Sequence, residues 1–118
     1  RLAVSIASHS PLMQQASQHF QELINRIHFR PPQVPLIANI SAQALTSVEE
    51  LRAELADQLT RPVQWTRSVQ TMVAGGTDTF VEIGPKQVLS GLIKRITPES
   101  KPITLTDNEV AKLMTSVD

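Results

Sequence analysis

Three histidines, His9, His19 and His28, are the side chains of this 118-residue chain best suited to moving a proton near neutral pH. Only His9 has a setting that suits catalysis. It lies in Val4-Ser5-Ile6-Ala7-Ser8-His9-Ser10-Pro11-Leu12-Met13, where an alternating apolar run of strand character breaks and a helical pattern follows at once. A strand-to-helix junction holds a side chain out on a rigid support, which is where α/β enzymes keep reactive groups. An imidazole with an ordinary pKa of about 6.5 can act there as a general base. Such a base serves a nucleophile and is fixed in one tautomer by a third group. Neither is evident by inspection. Ser8 and Ser10 adjoin His9 but point elsewhere, along the strand or into a helix cap. The four glycines (Gly75, Gly76, Gly84, Gly91) do not form a G-x-S-x-G elbow. Gly84-Pro85-Lys86 lacks the glycines of a phosphate loop. His19 and His28 read as surface or half-buried residues without a partner motif, and the scattered histidines give no metal-ligand spacing.

The elements that must position His9 follow from periodicity and punctuation. Apolar residues at Met13, Ala16, Phe20, Leu23, Ile24 and Ile27 line one face of a helix, with Ser10 as cap and Pro11 at its first position. Pro31 and Pro32 stop it. The run 34–41 is nearly continuous and apolar, as in a strand buried on both faces of a parallel sheet, with Asn39 expected to be a buried partner for backbone. Ser47-Val48-Glu49-Glu50 is a capping box opening a helix inward at Val48, Leu51, Leu55 and Leu59. A further helix, capped by Thr66 and inward at Val69, Met72 and Val73, ends at Gly75-Gly76. A strand over 79–83, a helix with Val88, Leu89, Leu92, Ile93 and Ile96 inward, and a short strand over 102–105 come next. A terminal helix inward at Val110, Leu113, Met114 and Val117 closes the chain. Strands alternating with helices predict an α/β fold, a parallel sheet covered by helices.

Composition narrows the class. Eleven basic and eleven acidic residues cancel, whereas nucleic-acid binding would leave a basic excess. The absence of cysteine excludes a disulfide framework, a thiolate zinc site and a cysteine nucleophile, and is compatible with a cytoplasmic location. No apolar run approaches the roughly 20 residues that span a bilayer, so no membrane role is expected. The chain opens on Arg1, apparently in mid-strand, which leads us to expect a fragment or a processed chain.

Four blocks occur in order: Ser8-His9-Ser10-Pro11-Leu12-Met13; Pro35-Leu36-Ile37-Ala38-Asn39-Ile40; Gln58-Leu59-Thr60-Arg61-Pro62-Val63-Gln64-Trp65; and Phe80-Val81-Glu82-Ile83-Gly84-Pro85 with Val88-Leu89-Ser90-Gly91-Leu92. Together they resemble the C-terminal part of the malonyl-CoA:acyl carrier protein transacylase family, whose acyltransferase fold recurs in fatty acid and polyketide synthases. The resemblance runs to about Ile96. Its Q-L-x-x-P-V-Q-W block is closer to free-standing bacterial enzymes of fatty acid synthesis than to polyketide modules.

The resemblance implies an α/β-hydrolase-like core, of which residues 1–118 are the C-terminal portion of one catalytic domain. It implies a malonyltransferase working through an acyl-serine ester, with His9 as the base of a Ser–His dyad. Gln58 would orient His9 through its main-chain carbonyl, the office of aspartate in a triad. No bound cofactor or metal is implied; a coenzyme A thioester, malonyl-CoA, is substrate, and phosphopantetheine on acyl carrier protein is acceptor. The serine of G-H-S-x-G, the oxyanion glutamine and the malonyl-binding arginine lie upstream in the family and are not in this sequence. The chain alone is therefore expected to be inactive, with the N-terminal portion of the same domain as partner. Small Ala7 and Ser8 fall in the region lining the family's acyl pocket, and fit either malonyl or a branched acyl group, as in a polyketide synthase domain.

A second reading is a non-catalytic module that docks carrier protein. Between residues 84 and 101, Lys86, Lys94, Arg95 and Lys101 stand against Glu99 alone, a local basic excess that suits an acidic carrier protein or a solvated helix face. Lys86, Lys94 and Arg95 are the docking candidates. A generic α/β hydrolase fits less well, because hydrolases bring an acid to the histidine and no acid precedes His9.

Overall fold

The structure, a computed structural model, describes residues 7–84 and 86–105. The expected first strand, apart from Ala7, and the terminal helix lie outside the described residues. The chain divides into two compact units, Arg1–Thr71 and Met72–Asp118.

In the first unit a 3-10 turn, Pro11–Met13, leads into helix α1 (Gln14–Arg26), where a single helix was expected. Helix α2 (Val48–Asp57) packs against α1. Only Ser17 and Ile24 of α1 are buried, while Leu23 and Ile27 stay exposed, so the contact is a narrower stripe than the apolar periodicity predicts. Arg52 of α2 ties the far end of α1, donating to the Ile24 and Ile27 carbonyls at 2.6 Å each while its guanidinium lies 4.8 Å from the centre of the Phe29 ring. These carbonyls lie at the helix end, where that of Ile24 also accepts the Ile27 N–H at 3.1 Å, and a cation there complements the helix dipole.

The apolar run after Pro35 does not form a strand buried on both faces. It makes a two-residue strand β1 (Leu36–Ile37) paired antiparallel with β2 (Ala44–Leu45), and Leu36 is 46% exposed. The chain reverses because Ala38 N–H donates to the Gln43 carbonyl (2.9 Å) and Ala42 N–H to the Ala38 carbonyl (3.2 Å), with Ala42 at φ 58°. Asn39 is exposed rather than buried. Its N–H and that of Ile40 are taken by Oε1 of Glu54, at 2.7 and 3.0 Å. A carboxylate from fifteen residues on thus satisfies the loop.

Ser47 and Glu50 form the expected capping box at the start of α2. Helix α3 (Trp65–Ala74) begins one residue before Thr66, so Thr66 lies in its first turn and is exposed rather than capping it. Ser68 and Thr71 of α3 donate to the Ala38 and Ala42 carbonyls of the hairpin loop, at 3.2 and 2.9 Å, and Val69 is fully buried. At the other end of α3, the Gly76 N–H bonds the Val73 carbonyl and the Thr77 N–H the Met72 carbonyl, with Gly76 at φ 93°. These two bonds define a Schellman cap, which favours glycine at that position.

The second unit carries a β-α-β arrangement. Strand β3 (Thr79–Ile83) pairs in parallel with β4 (Lys101–Leu105), Val81 opposite Ile103, and α4 (Val88–Ile96) connects and packs on both. Phe80 and Ile93 form the covered side, whereas Val88, Leu89 and Leu92 are exposed against expectation. Oxygens of Glu82 accept from the Leu89 and Ser90 N–H groups at 3.0 and 2.8 Å, so a strand residue closes the helix N-terminus. No helix among the described residues is long and apolar enough to cross a membrane.

Candidate functional site

His9 stands just ahead of the 3-10 turn with φ 61°, in the left-handed region, where histidine is one of the few residue types enriched. Ser10 then returns to extended backbone (φ −139°, ψ 160°). Its hydroxyl does not make the expected helix cap and instead donates backward to the Ala7 carbonyl at 2.7 Å. The Ser10 carbonyl accepts the Met13 N–H at 3.0 Å and opens the turn.

Gln58 is the C-cap of α2. Carbonyls in the last turn of a helix have no intrahelical donors. Here each is taken in sequence. Leu55 accepts the Gln58 N–H, Ala56 the Ser17 hydroxyl at 2.8 Å, and Asp57 the N–H groups of Thr60 and Arg61. The carbonyl of Gln58 itself meets Nδ1 of half-buried His9 at 2.8 Å. Pro62 disfavours helical backbone at Arg61, so α2 stops where this carbonyl is left for a side chain.

With Nδ1–H donating to that carbonyl, Nε2 carries the lone pair and faces away as an acceptor. Gln58 also borders a cleft of about 390 Å³ walled by Leu36, Leu45, Leu51 and Leu55 together with the polar Asn39 and Glu54.

The remaining expected positions lie as follows. Ala7 and Ser8 are exposed immediately before His9. In the second unit, Lys86 is exposed ahead of α4, and Lys94 and Arg95 are exposed in its last turn. Lys94 shares the wall of a hollow of about 200 Å³ with Ser90 and Thr104. Cations in a last turn also complement the helix dipole. Among the described residues, no group of three or more acidic or histidine side chains is placed to hold a metal ion.

Sequence reasoning missed three residues that shape these surroundings: Ser17, Glu54 and Glu82. Ser17 left a signal, being a polar residue seven positions before Ile24 on the packed stripe of α1. Glu54 and Glu82 bond backbone that is local in space but not in sequence, and no spacing rule reveals that.

No family model matches the chain. Individual proteins and solved structures do match it. A malonyl CoA-acyl carrier protein transacylase of Bacillus subtilis (strain 168) is 37% identical over 112 residues, covering 95% of this chain and 35% of the relative. The crystal structure of such a transacylase from Xanthomonas oryzae pv. oryzae superposes with a TM-score of 0.86 at 37% identity, over 98% of this chain and 37% of the other. A malonyl-transacylase solved in complex with a type II polyketide synthase acyl-carrier protein gives 0.82 at 36% identity, again over 98% and 37%. Those solved structures and the β-α-β unit agree on an α/β fold. The chain spans about a third of the length of the curated relatives it matches. On these matches, the chain is similar over nearly its whole length to about a third of the length of malonyl CoA-acyl carrier protein transacylases.

Proposed function

We propose that the chain is the C-terminal portion of an acyltransferase domain that carries malonyl from coenzyme A to the phosphopantetheine thiol of acyl carrier protein, and that His9 is its general base. The observation that carries this reading is the 2.8 Å contact between His9 Nδ1 and the Gln58 carbonyl. In the proposed mechanism, Nε2 takes the proton of a serine hydroxyl supplied by the rest of the domain as that oxygen attacks the thioester carbonyl. The imidazolium then returns the proton to the departing coenzyme A thiolate, leaving an acyl-serine ester. In the second half, Nε2 takes the proton of the carrier-protein thiol, which attacks the ester, and serine regains its proton. The carbonyl of Gln58 holds the tautomer throughout.

Two observations support a larger domain. Val81, Ile83 and Ile103 share the outer face of the β3–β4 sheet and are 53%, 66% and 47% exposed. Parallel sheets are covered on both faces, so this apolar face suits a further layer of the same domain. The relatives are also about three times as long. For the acceptor, Lys86, Lys94 and Arg95 supply the basic surface proposed to meet acyl carrier protein.

The test is His9→Ala in the complete domain, following acyl-serine formation from malonyl-CoA. We expect a loss of about 10²–10⁴-fold, the range of general acid–base catalysis; formation at the wild-type rate would reject the assignment.

A further inference from the structure

We infer that Ser10 is a positioning residue for the base. This rests on the proposed role of His9 and adds to it a cause for the imidazole's placement. The two observations are independent. First, His9 is held at φ 61°, a conformation uncommon for residues with a Cβ even though histidine enters it more readily than most. Second, the Ser10 hydroxyl donates to the Ala7 carbonyl, at 2.7 Å, and its oxygen accepts no N–H from the helical turn that follows. That bond spans His9. It joins the residue two before His9 to the residue after it and closes the chain into a loop with the histidine at its crest.

Ser8 and His9 form a turn, and among the described residues the Ser10 hydroxyl makes the side-chain bond that lies across it. On one side, the Met13 N–H holds only the Ser10 carbonyl, and on the other, Gln58 holds only the ring. Without the clasp, the backbone at His9 relaxes toward ordinary negative φ, which swings Cβ away from the α2 terminus. The 2.8 Å contact with the Gln58 carbonyl then opens, and Nδ1 loses the acceptor that fixes its proton. Ser10 touches no reacting atom in this scheme. It acts through the fraction of molecules whose imidazole is aimed.

The prediction is specific to turnover. In the complete transacylase, Ser10→Ala lowers kcat about fivefold, the weight of one neutral hydrogen bond, with KM for malonyl-CoA and the thermal midpoint unchanged. Ser10→Thr, which keeps the hydroxyl, restores kcat. On a His9→Ala background, Ser10→Ala costs nothing further, because a residue acting only through His9 has nothing left to act on. The inference is overturned if Ser10→Ala turns over like wild type, or if Thr fails to rescue it. It is also overturned if the loss persists on the His9→Ala background, or if a fall in thermal midpoint accounts for the lost activity. Failure of the base assignment is separate: His9→Ala alone would then retain wild-type turnover.

Discussion

At the scale of single residues, the contact between His9 and Gln58 divides its labour between a side chain and a main chain. The acceptor is a carbonyl, so the identity of residue 58 matters little while the position of that carbonyl matters a great deal. Gln58→Ala in the complete domain should change kcat/KM by no more than about threefold, since substitutions that remove no buried partner stay within about 0.5 kcal/mol. A loss as large as that of His9→Ala would show that the glutamine amide itself takes part. A triad aspartate brings a full charge to the histidine, whereas the carbonyl brings a dipole. On the proposed reading, the weaker partner leaves more of the transition-state stabilisation to an oxyanion site in the complete domain.

At the scale of elements, short backbone segments are held by carboxylates reaching in from neighbouring elements. Glu82 on β3 closes the start of α4, and hydrogen bonding by Ser90, its side chain first and its N–H next, holds the carboxyl below its ordinary 4.5. A carboxyl depressed in the folded state contributes stability above its unfolded pKa and loses it as pH falls through the folded value. Glu82→Gln should therefore lower the thermal midpoint at pH 7 and flatten its fall in acid, checked by melting the two proteins between pH 7 and pH 3. An unchanged acid profile would contradict this role for Glu82. Glu50, held low by the Thr46 and Ser47 backbone in the capping box, works in the same sense at α2.

These elements also show what was legible in the sequence. Ser47 and Glu50 announced α2 because a capping box is local, three residues wide. The Gly76 cap and the strand over 79–83 were local as well. The hairpin at 36–45 was not, because an apolar run of strand length says nothing of Glu54 satisfying the reversal from another helix. The placement of His9 at a junction could be read from the strand-to-helix switch, and its pairing with Gln58 came from family resemblance alone. The left-handed backbone at His9 and the backward bond of Ser10 left no trace, since Ser-Pro at a helix start reads as an ordinary cap.

At the scale of the whole molecule, the proposed surface for carrier protein is electrostatic and so has a salt signature. Reversing Lys94 and Arg95 to glutamate should weaken carrier-protein binding and flatten its dependence on ionic strength, leaving acyl-serine formation from malonyl-CoA intact. Unchanged affinity in a binding titration at low salt would confine those two residues to complementing the dipole of α4. The exposed apolar side of β3–β4 sets the other expectation at this scale, that the chain acts within a domain about three times its length.

The central claim is that the α2 terminus fixes His9 with its proton on Nδ1 and its lone pair on Nε2. The most direct measurement is nitrogen-15 NMR of the His9 imidazole in the complete domain at a pH where the ring is neutral. The prediction is a protonated Nδ1 with a downfield, exchange-protected proton and a bare Nε2, both retained in Gln58→Ala. A ring protonated at Nε2, or one averaging freely between tautomers, would contradict it.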